Sequence, residues 1–117
     1  MLNLKNRIRL ANDFKDILKN GESFFCKNFY IKTKNNTLDN SRFGIIVSSK
    51  VSKKAVERNR LKRIIREIIK ENLKDIKNKQ DIVIILNNSI VNKKREDIFN
   101  DFLEGFQRLK LIDKIKK

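Results

Sequence analysis

A chain of 117 residues has room for one domain with a modest core, and 39% hydrophobic with 37% charged residues marks a folded sequence rather than a disordered one. The formal charge of +15 and a pI near 10.2 make the chain self-repelling, which calls for a polyanionic partner such as RNA, DNA or an anionic membrane surface. There is no histidine, one cysteine (Cys26) and three glycines, so no Ser-His-Asp or Cys-His nucleophile, zinc cluster, GxGxxG or Walker A loop can be written.

In chain order, residues 2–10 carry Lys5, Arg7 and Arg9 and read as an extended basic arm. Asn12 suits the cap of a short helix through Lys19, with Phe14, Ile17 and Leu18 at helical spacing and Gly21 as the stop. Phe24–Lys34 is aromatic and β-branched, and its pattern leaves open whether it is one strand or two. Read as one strand, it sets Phe24, Cys26, Asn28, Tyr30 and Lys32 on one face and Phe25, Lys27, Phe29 and Ile31 on the other. One face must pack on a helix; the other is free to show an aromatic and a lysine to unstacked bases. Cys26 reads as a small packed side chain.

A polar loop over 35–41 leads to a second strand, Arg42–Ser48, built on Phe43-Gly44-Ile45-Ile46-Val47. A long helix follows, starting at Ser52 or Lys53 and ending at about Leu73 or Ile76. Asp81–Asn87 encloses Ile82-Val83-Ile84-Ile85-Leu86, a run that suits a strand buried on both faces. The last helix starts near Asn92, and its Ile98, Phe99, Phe102, Leu103, Phe106 and Leu109 form a core-facing series. The basic tail Lys110–Lys117 is expected to fray. The order α-β(β)-β-α-β-α predicts an α+β domain, a mixed sheet covered by helices, spanning 1–117 with arm 1–10 and tail 110–117.

The charge concentrates on the long helix. Lys50 to Lys70 holds nine cations against Glu57 and Glu67, a net +7. At about 100° per residue, Leu61, Ile64, Ile65 and Ile68 share an arc suited to the sheet. Asn59, Lys62, Arg63, Arg66 and Lys70 share another, where they can follow a phosphate backbone. A solvated amphipathic helix would mix its signs there, and a membrane-binding helix would not commit a β-branched apolar arc to a core. No apolar stretch approaches the ~20 residues of a membrane span and no signal-peptide h-region is present, which with the lone cysteine predicts a cytoplasmic protein. Asp13, Asp16, Asp97 and Asp101 read as helix-start and surface charges rather than a two-metal nuclease site.

The run SSKVSKKAVERNRLKRIIRE (Ser48–Glu67) resembles the signature of the bacterial ribonuclease P protein component, and the likeness continues through NDFKDILKNG, NFYIK, RFGIIVSSK and DIVIILN. The resemblance implies an α/β sandwich of four mixed strands, order α-β-β-β-α-β-α, with a left-handed β-α-β crossover holding the Arg58-Asn59-Arg60 helix, as in ribosomal-protein-like folds. It implies a subunit of an endoribonuclease whose large RNA, with Mg²⁺ bound mainly by that RNA, removes the 5′ leader of precursor tRNA. Catalytic groups and metal ligands are then expected on the RNA, with no membrane and no stable protein partner required. By position, Lys50, Lys53, Lys54, Arg58, Asn59, Arg60, Lys62, Arg63 and Arg66, continued by Lys70, are expected to bind the catalytic RNA, and Phe14, Leu18, Tyr30 and Lys32 to line the leader cleft. The chain departs from the family pattern at Ser49, where a lysine is common, and at Leu18 and Lys32, where aromatics are common. Leader contact is therefore expected to rely more on charge and less on stacking, and Tyr30 compensates only if the strand register differs by two residues. The alternative is a non-catalytic ribosomal or general RNA-binding protein.

Overall fold

The computed structural model describes residues 4–112. Helix α1 (Ala11–Asn20) precedes strands β1 (Glu22–Phe25), β2 (Phe29–Asn35) and β3 (Arg42–Ile46). Helix α2 (Ala55–Asn72), strand β4 (Gln80–Leu86) and helix α3 (Arg95–Arg108) complete the chain. The sheet order is β1-β2-β4-β3, with β3 and β4 parallel and the other pairs antiparallel. The predicted mixed sheet of an α+β fold is thus observed, and α2 makes the crossover between its parallel pair.

The apolar pattern sorts the layers. Phe29, Ile31, Phe43, Ile82, Ile84 and Leu86 meet α2 and α3 on one face. On the other face α1 brings Ile17 onto Val83, with Phe14, Leu18, Ile46 and Ile85 packed around them. Strand β4 lies between both layers, which explains why Ile82, Val83 and Ile84 form an unbroken apolar run.

The segment Phe24–Lys34 is two strands. Its turn is held because Cys26 N–H donates to Phe29 O (2.8 Å) and Asn28 Nδ2 donates to Asp101 Oδ2 on α3 (2.6 Å). A hairpin changes the side-chain parity expected of one strand. The register Phe24↔Ile31 and Phe25↔Tyr30 turns Phe24 into the core with Phe29 and Ile31, and puts Phe25 on the α1 face with Tyr30 and Lys32.

Several boundaries also move. Leu10, not Asn12, occupies the N-cap of α1, and no side chain caps it; Asn12 sits inside the first turn. Gly21 does end the helix, where a Cβ would stand 2.6 Å from Ile17 O and 2.9 Å from Thr33 O. The arm is partly docked: Ile8 is buried and its N–H donates to Phe43 O (2.9 Å), because its apolar side chain joins the cluster under α1. Helix α2 starts at Ala55, since the Ser52 hydroxyl takes the Lys54 N–H and the Ser52 carbonyl takes Arg58 Nη1 (2.8 Å). Asn92 adopts φ 68°, so α3 begins only at Arg95. The start of the tail does not fray: Leu111 and Ile112 are buried, and Lys77 N–H donates to Leu111 O (2.6 Å). The rest of the expected tail, 113–117, lies outside the described residues.

Cys26 is buried and its Sγ donates to Asp101 O at 3.5 Å. Burial first, then the negative charges of Asp101 and Glu104, pushes its thiol up to about 12. The folded protein is therefore expected to resist thiol alkylation at pH 8 and to react once denatured; rapid labelling of the native protein would contradict this burial. Because the folded value lies above the ordinary 9.0, this contribution to stability is present below pH 9 and is lost as pH rises from there toward 12.

Candidate RNA-interaction surfaces

Helix α2 presents three different surfaces. Leu61, Ile64, Ile65, Ile68 and Ile69 are buried against the sheet. Asn59, Arg63 and Lys70 are exposed, Lys62 and Arg66 are half-buried, and none of these cations joins an ion pair among the described residues. The opposite flank carries Glu57, Glu67 and Glu71 around Arg60. There Arg60 grips Glu57 through Nε (3.2 Å) and Nη2 (2.8 Å), and Glu71 accepts from Arg95 Nη2 of α3 (2.6 Å). The Arg60 guanidinium holds the Glu57 carboxyl below the usual carboxylate range.

The helix therefore gathers its acids on the flank of Arg60, where Glu71 reaches α3, and keeps the other flank cationic. Lys50, Lys53 and Lys54 are exposed on the loop before α2, and Ser49 beside them is exposed as well. Two of the predicted RNA contacts are placed differently from the rest: Arg60 is engaged by Glu57, and Arg58 braces the loop through Ser52 O.

The second surface is the sheet face under α1. Asp13 accepts from Arg42 Nη1 (3.2 Å), Asp16 pairs with Lys34, and Leu18 O accepts from Lys32 Nζ (2.7 Å). Lys34, more than any other neighbour, holds the Asp16 carboxyl below its ordinary range. Phe14 lies over Gly44, where a Cβ would run into its ring, so glycine at this point of β3 makes room for the aromatic. These links clamp α1 at the rungs of Arg42 and Gly44. The rung above is more open. Across it, Ile46 aligns with Ile85, Ile85 with Tyr30, and Tyr30 with Phe25, all on one face.

Phe14, Leu18, Tyr30 and Lys32 lie on one side of the sheet, and Lys32 is tethered to the helix it faces. Two features escaped the sequence reading. Phe25 joins this face because Cys26-Lys27-Asn28 is a turn, and the polar Asn28 amid an apolar run is the signal that marks it. Asp81 is buried at the start of β4 and receives Arg42 through Nε (2.9 Å) and Nη2 (2.7 Å) and Asn36 Nδ2 (2.9 Å). A carboxylate opening a buried strand requires a cation, and Arg42 on the neighbouring strand supplies it.

Among the described residues, no three Asp, Glu or Cys converge into a set that could hold a metal ion, and no helix is long and apolar enough to cross a membrane.

The family model described as Ribonuclease P matches residues 2–110. The ribonuclease P protein component of Syntrophomonas wolfei is 35% identical over 103 residues, covering 88% of this chain and 86% of the relative. That of Fusobacterium nucleatum is 35% identical over 111 residues, covering 92% and 99%. The solved structure of the Staphylococcus aureus RNase P protein superposes with a TM-score of 0.85 at 33% identity, covering 92% of this chain and 98% of that one. The Thermotoga maritima RNase P protein gives 0.80 at 34% identity, covering 87% and 96%. The charge-sorted helix, the mixed sheet and these matches together show that the chain belongs to the bacterial ribonuclease P protein family, the protein subunit of the ribonucleoprotein that matures the 5′ end of precursor tRNA.

Proposed function

We propose that the protein engages two RNAs with opposite sides of its fold. The cationic flank of α2, with Lys50, Lys53 and Lys54 before it, grips the large catalytic RNA. The cleft between α1 and the sheet takes the single-stranded 5′ leader of precursor tRNA. The observation that carries this reading is the sorting of charge on α2, where the acids are turned to Arg60 and α3 and the opposite flank is left for phosphates.

Each surface suits its ligand chemically. Arg63 and Arg66 offer planar donors to phosphate oxygens, while Lys62 and Lys70 add point charges along the same line. In the cleft Lys32 spends one donor on Leu18 O and keeps others for a leader phosphate, and Phe14 offers a ring already fixed over Gly44. On this reading the Mg²⁺ ion and the bond cleavage belong to the RNA, in the cytoplasm, and this chain contributes binding and orientation.

Reconstitution with the cognate RNA and precursor tRNA, at low Mg²⁺ and physiological salt, tests the reading. The protein is expected to stimulate 5′ cleavage and to cleave nothing alone; absence of stimulation would refute it. Phe14→Ala is expected to weaken binding of leader-bearing precursor about tenfold, the scale of one lost base stack, and to leave mature tRNA nearly unchanged. Equal losses on both RNAs would place Phe14 in the core alone.

A further inference from the structure

One aromatic on the cleft side is absorbed neither by the core nor by the residues already assigned. Phe25 is 71% exposed, and its ring lies 5.2 Å from that of Tyr30, tilted by 54°. Both project from the face that carries Lys32 and Ile85. Phe25, Tyr30, Ile85 and Ile46 form one row in register across all four strands. With strands about 4.8 Å apart, the row spans roughly 14 Å from one sheet edge to the other. Lys27 is exposed in the turn beside its β1 end, and the loop with Lys50, Lys53 and Lys54 follows its β3 end.

Hairpin stability alone does not account for the exposed ring. The hairpin is already held by Phe24 in the core, by Cys26 N–H on Phe29 O and by Asn28 on Asp101. A tilted aromatic pair between cations instead offers π-faces to unstacked bases and charge to the phosphates joining them. A docked apolar protein segment would have to bury those lysines, which the charge pattern disfavours.

We infer that Phe25 and Tyr30 form a base-stacking platform at the outer end of the cleft, over which the 5′ leader runs along the Ile85–Ile46 rung toward the basic loop before α2. This inference rests on the leader-binding reading and adds to it a place where leader length is sensed. Tyr30 and Phe25 pair across β2 and β1, so the two rings sit together toward the sheet edge.

The test uses the reconstituted holoenzyme with one tRNA body carrying no leader or leaders of increasing length, and compares wild type with Phe25→Leu and Phe25→Trp. Leucine keeps an apolar contact in the hairpin and removes the stacking face; melting curves confirm that each variant is folded. Wild-type affinity is expected to rise in steps as the leader lengthens. Phe25→Leu is expected to keep the early steps and lose the last, binding the longest leader about tenfold more weakly. Phe25→Trp is expected to retain that step. Wild-type behaviour of Phe25→Leu at every length would overturn the platform, as would a loss equal on mature tRNA. Altered self-association of Phe25→Leu with unchanged RNA binding would overturn it in favour of a protein contact. If wild-type affinity ignores leader length altogether, the leader reading of the cleft itself fails.

Discussion

Arg63→Ala and Arg66→Ala are each expected to weaken assembly with the catalytic RNA about tenfold at physiological salt, and together to flatten its salt dependence. Both side chains project from the α2 flank on which no cation joins an ion pair among the described residues, so neither replacement breaks an intramolecular contact of that kind. One charge-assisted contact in such a setting contributes about 1.5 kcal/mol or more, which corresponds to that tenfold loss. Each phosphate contact removed is expected to make the slope of log K against log salt shallower by about 0.7 to 0.9. Arginine-to-lysine exchange at either site keeps the charge and most of the slope, but loses the planar fork. Arg60→Ala provides the internal comparison. Its guanidinium is held by Glu57, so it is expected to change the slope less than Arg63→Ala does. Unchanged slopes in both the Arg63 and the Arg66 variants would mean that this flank faces solvent in the holoenzyme.

The α2 surface was legible because helical periodicity alone separates Leu61, Ile64, Ile65 and Ile68 from Asn59, Lys62, Arg63, Arg66 and Lys70. What periodicity does not state is which neighbour each flank meets. Glu71 is recognisable as the partner of α3 only once Arg95 is beside it, and Arg60 leaves the cationic series only through its pairing with Glu57. Strand β4 was legible for a similar reason, since a strand covered on both faces has no polar alternation to obscure it. The cleft was half legible. Phe14, Leu18 and Lys32 were assigned to it only through the family resemblance, and the face of Phe25 depends on the turn at Cys26–Asn28, because a turn resets the parity of every residue before it. The docking of the arm was not legible for want of a long-range partner: Ile8 lies between charged neighbours, and only the cluster under α1 shows why it is buried.

The largest loss of stability is expected from Asp81→Ala. Asp81 is 7% exposed, and its carboxylate takes two donors from Arg42 and one from Asn36. Truncation leaves Arg42, itself half-buried, with only Asp13 at 3.2 Å, and leaves Asn36 without that acceptor. Removing one partner of a buried pair costs about 3–5 kcal/mol, a large part of the 5–15 kcal/mol that holds a small domain together. The melting temperature should fall by roughly 10 °C or more. In the intact protein Asp81 chiefly, and then Asp13, raise the Arg42 guanidinium above its ordinary value; without Asp81 an arginine still keeps its charge in mild alkali, so raising the pH will not relieve the defect. Asp81→Asn keeps the volume and an acceptor, and should be less damaging. The same arginine ties β4 to Asp13 of α1, so the two effects are linked: in the folded fraction, α1 should lose its fixed position over the sheet. Leader-bearing precursor should then be bound less selectively over mature tRNA, while the salt slope set by Arg63 and Arg66 should persist. Loss of both together, in protein shown to be folded, would mean that the cleft and the helix flank are not separate binding surfaces.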